Sequence, residues 1–98
     1  MSKLAIIGTV EVPSGKRDQV LPLLMAHRAR CLKEEPGTLQ FEVMIPREDD
    51  TRVILCEVYR DDAAFDVHRN GSSRAQWLEE TTGMGVKVSV TARCALLE

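Results

Sequence analysis

The sequence predicts an α+β fold of the ferredoxin-like type, in which a four-stranded antiparallel sheet carries helices on one face. Four segments have the alternating or β-branched character of strands, and helical spacing separates the first from the second and the third from the fourth. The resulting order of strand, helix, strand, strand, helix, strand is the split β-α-β arrangement. Without a linker or repeat, the chain is expected to form one domain over residues 1–98.

The first strand is predicted over Leu4–Val12, where both faces are apolar. Pro13-Ser14-Gly15 should end it, with Ser14 as N-cap of a long helix. Helical spacing then continues to Pro36-Gly37 in a set of apolar residues: Val20, Leu21, Leu24, Met25, Cys31 and Leu32. Pro22 lies inside this pattern and predicts a kink or loosened first turns, because proline removes a backbone hydrogen bond.

The next two strands should form a hairpin. Thr38–Ile45 alternates between apolar and polar residues, and Val53–Tyr59 is a β-branched and aromatic run. Pro46–Thr51 joins them as a charged turn, which favours antiparallel pairing.

Two short helical pieces and a last strand complete the pattern. Asp61-Asp62 should cap the first piece, which Asn70-Gly71 interrupts. Ser72 or Ser73 should cap the second piece, which Gly83 and Gly85 should end before a strand over Val86–Leu96.

The strand pattern also predicts self-association. Helices cover one face of such a sheet, yet the first and third strands carry large apolar residues on both faces. We therefore expect a homodimer in which a second copy packs on the open face by an isologous contact. The alternative is a twisted sheet that tolerates some apolar exposure.

Composition argues against several classes of partner. The 13 basic and 15 acidic residues give a net charge of −2, and the basic residues are scattered, so nucleic acid is not expected as a partner. No apolar run approaches the roughly 20 residues that cross a membrane, and no secretion signal is evident, so we expect a cytoplasmic location.

The three cysteines predict neither a disulfide framework nor a metal site. Cys31, Cys56 and Cys94 are far apart, without a Cys-x-x-Cys pair or a His at metal-ligand spacing. Their apolar neighbours favour inert, buried thiols.

Two segments carry a family resemblance. Glu34–Val43 holds an E-P-G helix stop that leads into a strand, and Glu57–His68 holds E-x-Y followed by A-A-F-x-x-H. In this order and spacing they resemble the antibiotic biosynthesis monooxygenase (ABM) family over essentially the whole chain. The resemblance implies a dimeric ferredoxin-like fold with a pocket between helices and sheet. Many members resemble cofactor-independent monooxygenases of phenols or quinols, a related branch resembles a phosphorylated-autoinducer isomerase, and some have no assigned activity.

One position departs from the family pattern. Relatives commonly carry a second His six residues after the first, where this chain has Arg74. Arginine stays charged and cannot accept a proton near neutral pH, but it can bind an anionic oxygen or phosphate. The alternative is a solvated Arg on the helix surface.

His68 and His27 are the candidates for polar chemistry. His68 can take a proton from a phenol or hydroxy-ketone and return it, so it is the predicted catalytic residue. Its alternative role is to cap the C-terminus of its helix. His27 lies on or beside the buried helix stripe, where it either lines the pocket as a hydrogen-bond donor or is a satisfied core histidine.

Aromatic residues and one acid complete the candidate site. Trp77 offers a stacking surface and an N–H donor, and Phe41 and Phe65 fall where the family has its pocket wall; all three could equally be core residues. Glu57 interrupts an apolar strand face, so it needs a partner such as an Arg or a shifted pKa.

The preferred hypothesis is a monooxygenase without metal or organic cofactor. No Gly-rich phosphate loop, haem-attachment motif or His-carboxylate metal cluster is evident in the sequence, so a small phenolic or quinol substrate would itself reduce oxygen. The alternatives are an isomerase of a small hydroxy-ketone and a non-catalytic ligand-binding dimer. Haem degradation is less attractive, because only the two His residues could serve as axial ligands.

Overall fold

A computed structural model of the protein describes residues 2–97. It contains four strands and three helices: β1 Lys3–Glu11, α1 Arg17–Glu34, β2 Thr38–Met44, β3 Arg52–Tyr59, α2 Asp62–Arg69, α3 Ser72–Glu80 and β4 Lys87–Leu96. This order confirms the predicted arrangement, with the second helical region split at Asn70-Gly71 as expected.

The sheet is antiparallel throughout, with the strand order β2-β3-β1-β4. Ile7, near the middle of β1, faces Cys56 on β3 and Ala92 on β4. The register of β1 against β4 shifts between Ile7 and Gly8. The sheet therefore has two central strands, β1 and β3, and two outer strands, β2 and β4.

The core lies between the helices and one face of the sheet. Its main cluster joins residues of the first three strands with residues of α1 and α3: Val10, Val12, Val20, Leu24, Cys31, Phe41, Val53, Leu55 and Trp77. A second cluster lies beneath α2: Leu4, Ile6, Tyr59, Ala64 and Phe65. The candidate residues Phe41, Phe65 and Trp77 are thus all packed against these clusters.

Helix starts differ in part from the prediction. Asp61 caps α2 as expected, because its Oδ1 accepts a hydrogen bond from the Ala64 N–H at 2.8 Å. Ser14 does not cap α1; its hydroxyl donates to the Asp50 carboxylate instead. Ser73 does not cap α3 either, since Gly71 occupies the N-cap position and Ser73 is buried in the protein interior.

Pro22 does not interrupt α1. The helix is continuous from Arg17 to Glu34. The proline and Asp18, whose carbonyl loses its helical partner, are both exposed, so water can bind that carbonyl.

The side of the sheet away from the helices carries apolar groups without cover in the protomer. Half-buried Ile7, Ile54 and Cys56 lie there on β1 and β3. On β4, exposed Cys94 lies on this side as well, since it pairs with Ala5 of β1. Exposed Val88 and Val90 pair with Val10 and Gly8 and therefore lie on the side of the helices, where no helix packs closely on β4. The homodimer remains a prediction, and this open face is where it would form.

The cysteines are less uniform than expected. Cys31 is buried, Cys56 is half-buried and Cys94 is exposed. The prediction of three buried thiols is therefore wrong for Cys94 in the protomer, because Cys94 pairs with Ala5 of β1 and lies on the open face of the sheet, away from the helices. All three thiols are free, and no helix within residues 2–97 is long and apolar enough to span a membrane.

Gly37, in the E-P-G segment, allows α2 to approach the start of β2. A Cβ placed on Gly37 would lie 2.4 Å from the Cβ of Ala64, and the Gly37 carbonyl accepts a hydrogen bond from the Arg60 N–H at 2.9 Å. Gly37, the third residue of the E-P-G segment, therefore allows α2 to pack closely on the chain in addition to helping end α1.

Replacing Gly37 by Ala should lower the free energy of unfolding by about 1–3 kcal/mol, because the added methyl overpacks this contact. Urea unfolding measures the loss. The double variant G37A/A64G should lose less than the sum of the two single variants, since removing the Ala64 methyl relieves the clash. Strictly additive losses would contradict this account.

Candidate functional site

A small cavity lies between the helices and the sheet. It has a volume of about 60 Å³, and besides apolar residues it is lined by the side chains of His27, Phe41, Glu57, His68, Arg74 and Trp77. A neighbouring cavity of about 130 Å³ shares Glu57, His68 and Arg74 with it and reaches Phe65 and β4. The two cavities adjoin at these shared residues and are together called the cleft; each of the six predicted site residues lines at least one of them.

His68 is held between two acidic residues. Its Nδ1 lies 2.9 Å from Glu35 Oε1, which also accepts a hydrogen bond from the Thr38 hydroxyl at 2.8 Å. Its Nε2 lies 3.7 Å from Glu57 Oε1. His68, Glu35 and Glu57 are all buried, so this arrangement is shielded from bulk water.

The Glu35 contact selects one tautomer of His68. A carboxylate oxygen only accepts hydrogen bonds, so the neutral imidazole carries its proton on Nδ1 and donates it to Glu35. The free lone pair is then on Nε2, the nitrogen nearer Glu57, which lines both cavities. His68 is thereby oriented as a proton acceptor and does not cap its helix, whose C-cap is Asn70.

His27 lies beside His68 and stacks on Trp77. The centroid of the His27 ring is 5.6 Å from that of the His68 ring and 5.7 Å from that of the Trp77 ring. Its Nδ1 lies 2.9 Å from Ser73 Oγ, and Arg30 Nε donates a hydrogen bond to the same oxygen at 3.1 Å. Burial, reinforced by His68 and Arg30, lowers the pKa of His27 to about 4, so this imidazole is neutral near pH 7.

Glu57 obtains its hydrogen bond from Tyr59, whose hydroxyl donates to Glu57 Oε1. Burial raises the pKa of Glu57, and this bond opposes the rise. Burial and the Glu57 charge also raise the pKa of Tyr59. The expected Arg partner is absent from these contacts, and Tyr59 and His68 serve instead.

Cys31 lies at the back of the two imidazoles. Its Sγ is 3.7 Å from His27 Nδ1 and 3.7 Å from His68 Nδ1, and 3.6 Å from Ser73 Oγ. Burial raises the pKa of this thiol to about 12. The sequence-based statement that no His stands at ligand spacing from a cysteine was wrong, because His27 precedes Cys31 by one helical turn.

The other candidates occupy the walls and mouth of the cleft. Phe41 meets His27 edge-on at 5.6 Å, and Phe65 stacks on His68 at 6.4 Å. Arg74 is exposed yet lines both cavities, so its guanidinium can meet a ligand at the entrance. Arg74 is therefore exposed on the helix surface, and its role in binding an anionic ligand stays a prediction.

Sequence reasoning missed Glu35 and Ser73. Glu35 was read only as part of a helix stop, and Ser73 only as a helix cap. The buried contacts of Glu35 with His68 and of Ser73 with His27 join residues 33 and 46 positions apart. A signal for Glu35 was present in its spacing, four residues after Cys31 and eight after His27 on one helix face.

Comparison with known families agrees with the resemblance noted in the sequence. Residues 4–80 match the family profile described as antibiotic biosynthesis monooxygenase. The mycobilin-producing heme oxygenase of Mycobacterium tuberculosis is 32% identical over 69 residues, which cover 70% of this chain. The chain spans only 65% of the length of that relative.

Solved structures named for the same family share the fold. A protein from Nitrosomonas europaea superposes with a TM-score of 0.87 at 18% identity, covering 98% of this chain and 91% of that one. A protein from Caulobacter crescentus superposes with a TM-score of 0.85 at 13% identity, covering 99% and 92%. At these identities the likeness establishes the ferredoxin-like fold alone.

Proposed function

Because this chain belongs to the antibiotic biosynthesis monooxygenase family, we propose that it is an oxidoreductase that oxygenates a small phenol or quinol with molecular oxygen. The observation that carries the proposal is His68, whose Nδ1 is bound by Glu35 while its Nε2 lies on the side of a cleft walled by aromatic rings. A base in this setting can deprotonate a phenolic hydroxyl.

The chemistry needs no oxidant other than oxygen. His68 Nε2 accepts the phenolic proton, and the resulting anion is electron-rich enough to transfer electrons to O₂. One oxygen atom becomes bonded to a ring carbon, the other leaves as water, and the substrate supplies all four electrons. A phenol therefore yields a quinone and water. The protein's own residues bind the ring, hold the proton and limit access of water.

The size of the cleft restricts the substrate. An apolar cavity of about 150 Å³ binds benzene, and the two cavities, of about 60 and 130 Å³, reach that size only together. A substrate with one ring, placed between Phe41 and Phe65, would therefore fill the cleft. Arg74 at the entrance would bind an acidic substituent of such a ring.

The site does not fit haem, the substrate implied by the name of the M. tuberculosis relative. Ligands of that size occupy pockets of several hundred Å³, far more than this cleft provides. We therefore assign no step to haem.

Oxygen-electrode measurements with a panel of one-ring hydroquinones test the proposal, with ¹⁸O₂ to follow oxygen into the product. Protein-dependent oxygen uptake with one ¹⁸O atom per product is expected, and acidic substituents should lower KM. Equal consumption with and without the protein, for every compound in the panel, would overturn it.

Arg74 gives a specific reason to keep the isomerase as a second candidate. A guanidinium at the mouth of the cleft suits a phosphorylated hydroxy-ketone, along which His68 could shuttle a proton. Solvent deuterium would then enter the substrate without oxygen uptake. The same experiments therefore separate the two enzymatic functions, and ligand binding without either signal would indicate a binding protein.

A further inference from the structure

We propose that His27, Cys31, Glu35 and His68 form a binding site for a zinc ion at the back of the cleft. This site goes beyond the proposed oxygenase function and does not depend on it. Nothing in the sequence-based prediction, which expected no metal, or in the relatives' names assigns such a site.

The spacing of the donor atoms supports a metal centre. The ligand atoms of His27, Cys31 and His68 all lie within 4.8 Å of one another. The Cys31 sulfur is 3.7 Å from a ring nitrogen of each histidine. Zinc bonds of about 2.3 Å to sulfur and 2.0–2.1 Å to nitrogen, arranged tetrahedrally, place these donors about 3.6 Å apart. Small side-chain movements would therefore complete the shell.

Glu35 lies beside this group of three and would become the fourth donor after its side chain moves toward the ion. Its Oε1 is 2.9 Å from His68 Nδ1, a hydrogen bond that both atoms would exchange for bonds to the ion. His27, Cys31 and Glu35 recur every four residues, so they form one stripe along α1 and its C-cap. His68 faces this stripe from α2. A set of two imidazoles, a thiolate and a carboxylate suits zinc better than calcium or magnesium, which prefer oxygen donors.

Glu57 and Ser73 contact the proposed ligands and would orient them around the ion. When His68 binds the ion through Nδ1, its proton moves to Nε2, which lies 3.7 Å from Glu57 Oε1. Carboxylates in this position orient metal-bound histidines in many proteins. Ser73 is within hydrogen-bonding reach of both His27 and Cys31. Binding releases the Cys31 thiol proton to solvent, so the ion exchanges for one proton.

His68 cannot bind the ion through Nδ1 and accept a substrate proton at Nε2 at the same time. In the metal-free protein Nε2 is the proton acceptor, whereas the metal-bound ring carries its proton there and cannot accept another. Zinc is therefore expected to inhibit the oxygenation. This consequence alone rests on the proposed function.

Titration of the metal-free chain with Co²⁺ tests the site, because a thiolate bound to Co²⁺ gives a near-ultraviolet charge-transfer band and tetrahedral coordination gives strong visible bands. One Co²⁺ per chain with both signals, displaced by Zn²⁺, is the expected result. C31S should lose the charge-transfer band and H27N should weaken binding at least tenfold. The matched control C56S/C94S should keep both signals.

Failure to develop a charge-transfer band would overturn the site, as would a band that survives in C31S and disappears in C56S/C94S. Circular dichroism confirms that each variant is folded. The Co²⁺ titration and the oxygenase assay test the zinc site and the proposed function independently. A Co²⁺ signal without activity on any phenol would retain the site and reject the proposed function, and activity without a Co²⁺ signal would do the reverse.

Discussion

Replacing His68 by Asn is expected to lower the kcat of substrate-dependent oxygen uptake by about 10²–10⁴-fold, the usual contribution of a general base. The Asn amide nitrogen can still donate to Glu35, so the buried carboxylate keeps a partner, but the acceptor at Nε2 is lost. Steady-state oxygen-electrode kinetics on the hydroquinone panel measure the change. KM should change much less than kcat, because the ring walls are intact.

Variants of Glu35 provide the comparison for His68. E35Q keeps an oxygen that accepts the Nδ1–H bond, so it should lose less activity than H68N. E35A leaves Nδ1 without its partner, so the imidazole proton is no longer confined to that nitrogen, and the loss should be larger than in E35Q. If H68N is folded and retains the kcat of the unchanged chain, His68 is not the base and the mechanism is wrong.

Much of the fold could be predicted because it depends on local patterns. The alternation of Thr38–Met44, the β-branched and aromatic run of β3 and the Asp61 cap each involve neighbours in sequence. The prediction of serine caps was wrong because it ignored contacts between residues far apart in sequence: Ser73 contacts His27 and does not cap α3. Local propensity cannot weigh such a contact against a cap.

The candidate site was harder to predict because its polar contacts cross the fold. His68 depends on Glu35 and Glu57, which come from the end of α1 and from β3. The sequence suggested that His27, His68 and Trp77 share a cavity, and the structure places their rings together. Their roles in binding or catalysis remain predictions that the kinetic variants address.

The open face of the sheet gives the second prediction with a large effect, which concerns self-association. Ile7 lies in the central strand β1 with Cys56 and Ala92 as its lateral neighbours on that face. In an isologous contact each copy would bury this residue against the other. I7D would then bury two unpaired carboxylates near the symmetry axis, and each costs several kcal/mol.

We therefore expect I7D to raise the dimer dissociation constant by at least about 10³-fold, as measured by sedimentation equilibrium. The control A29D adds the same charge to an exposed position on α1, away from the open face, and should leave the dimer unchanged. Far-UV circular dichroism of I7D distinguishes a folded monomer from an unfolded chain. A monomeric unchanged protein at micromolar concentration, or equal dissociation constants for I7D and A29D, would show that the apolar groups of this face are left to solvent.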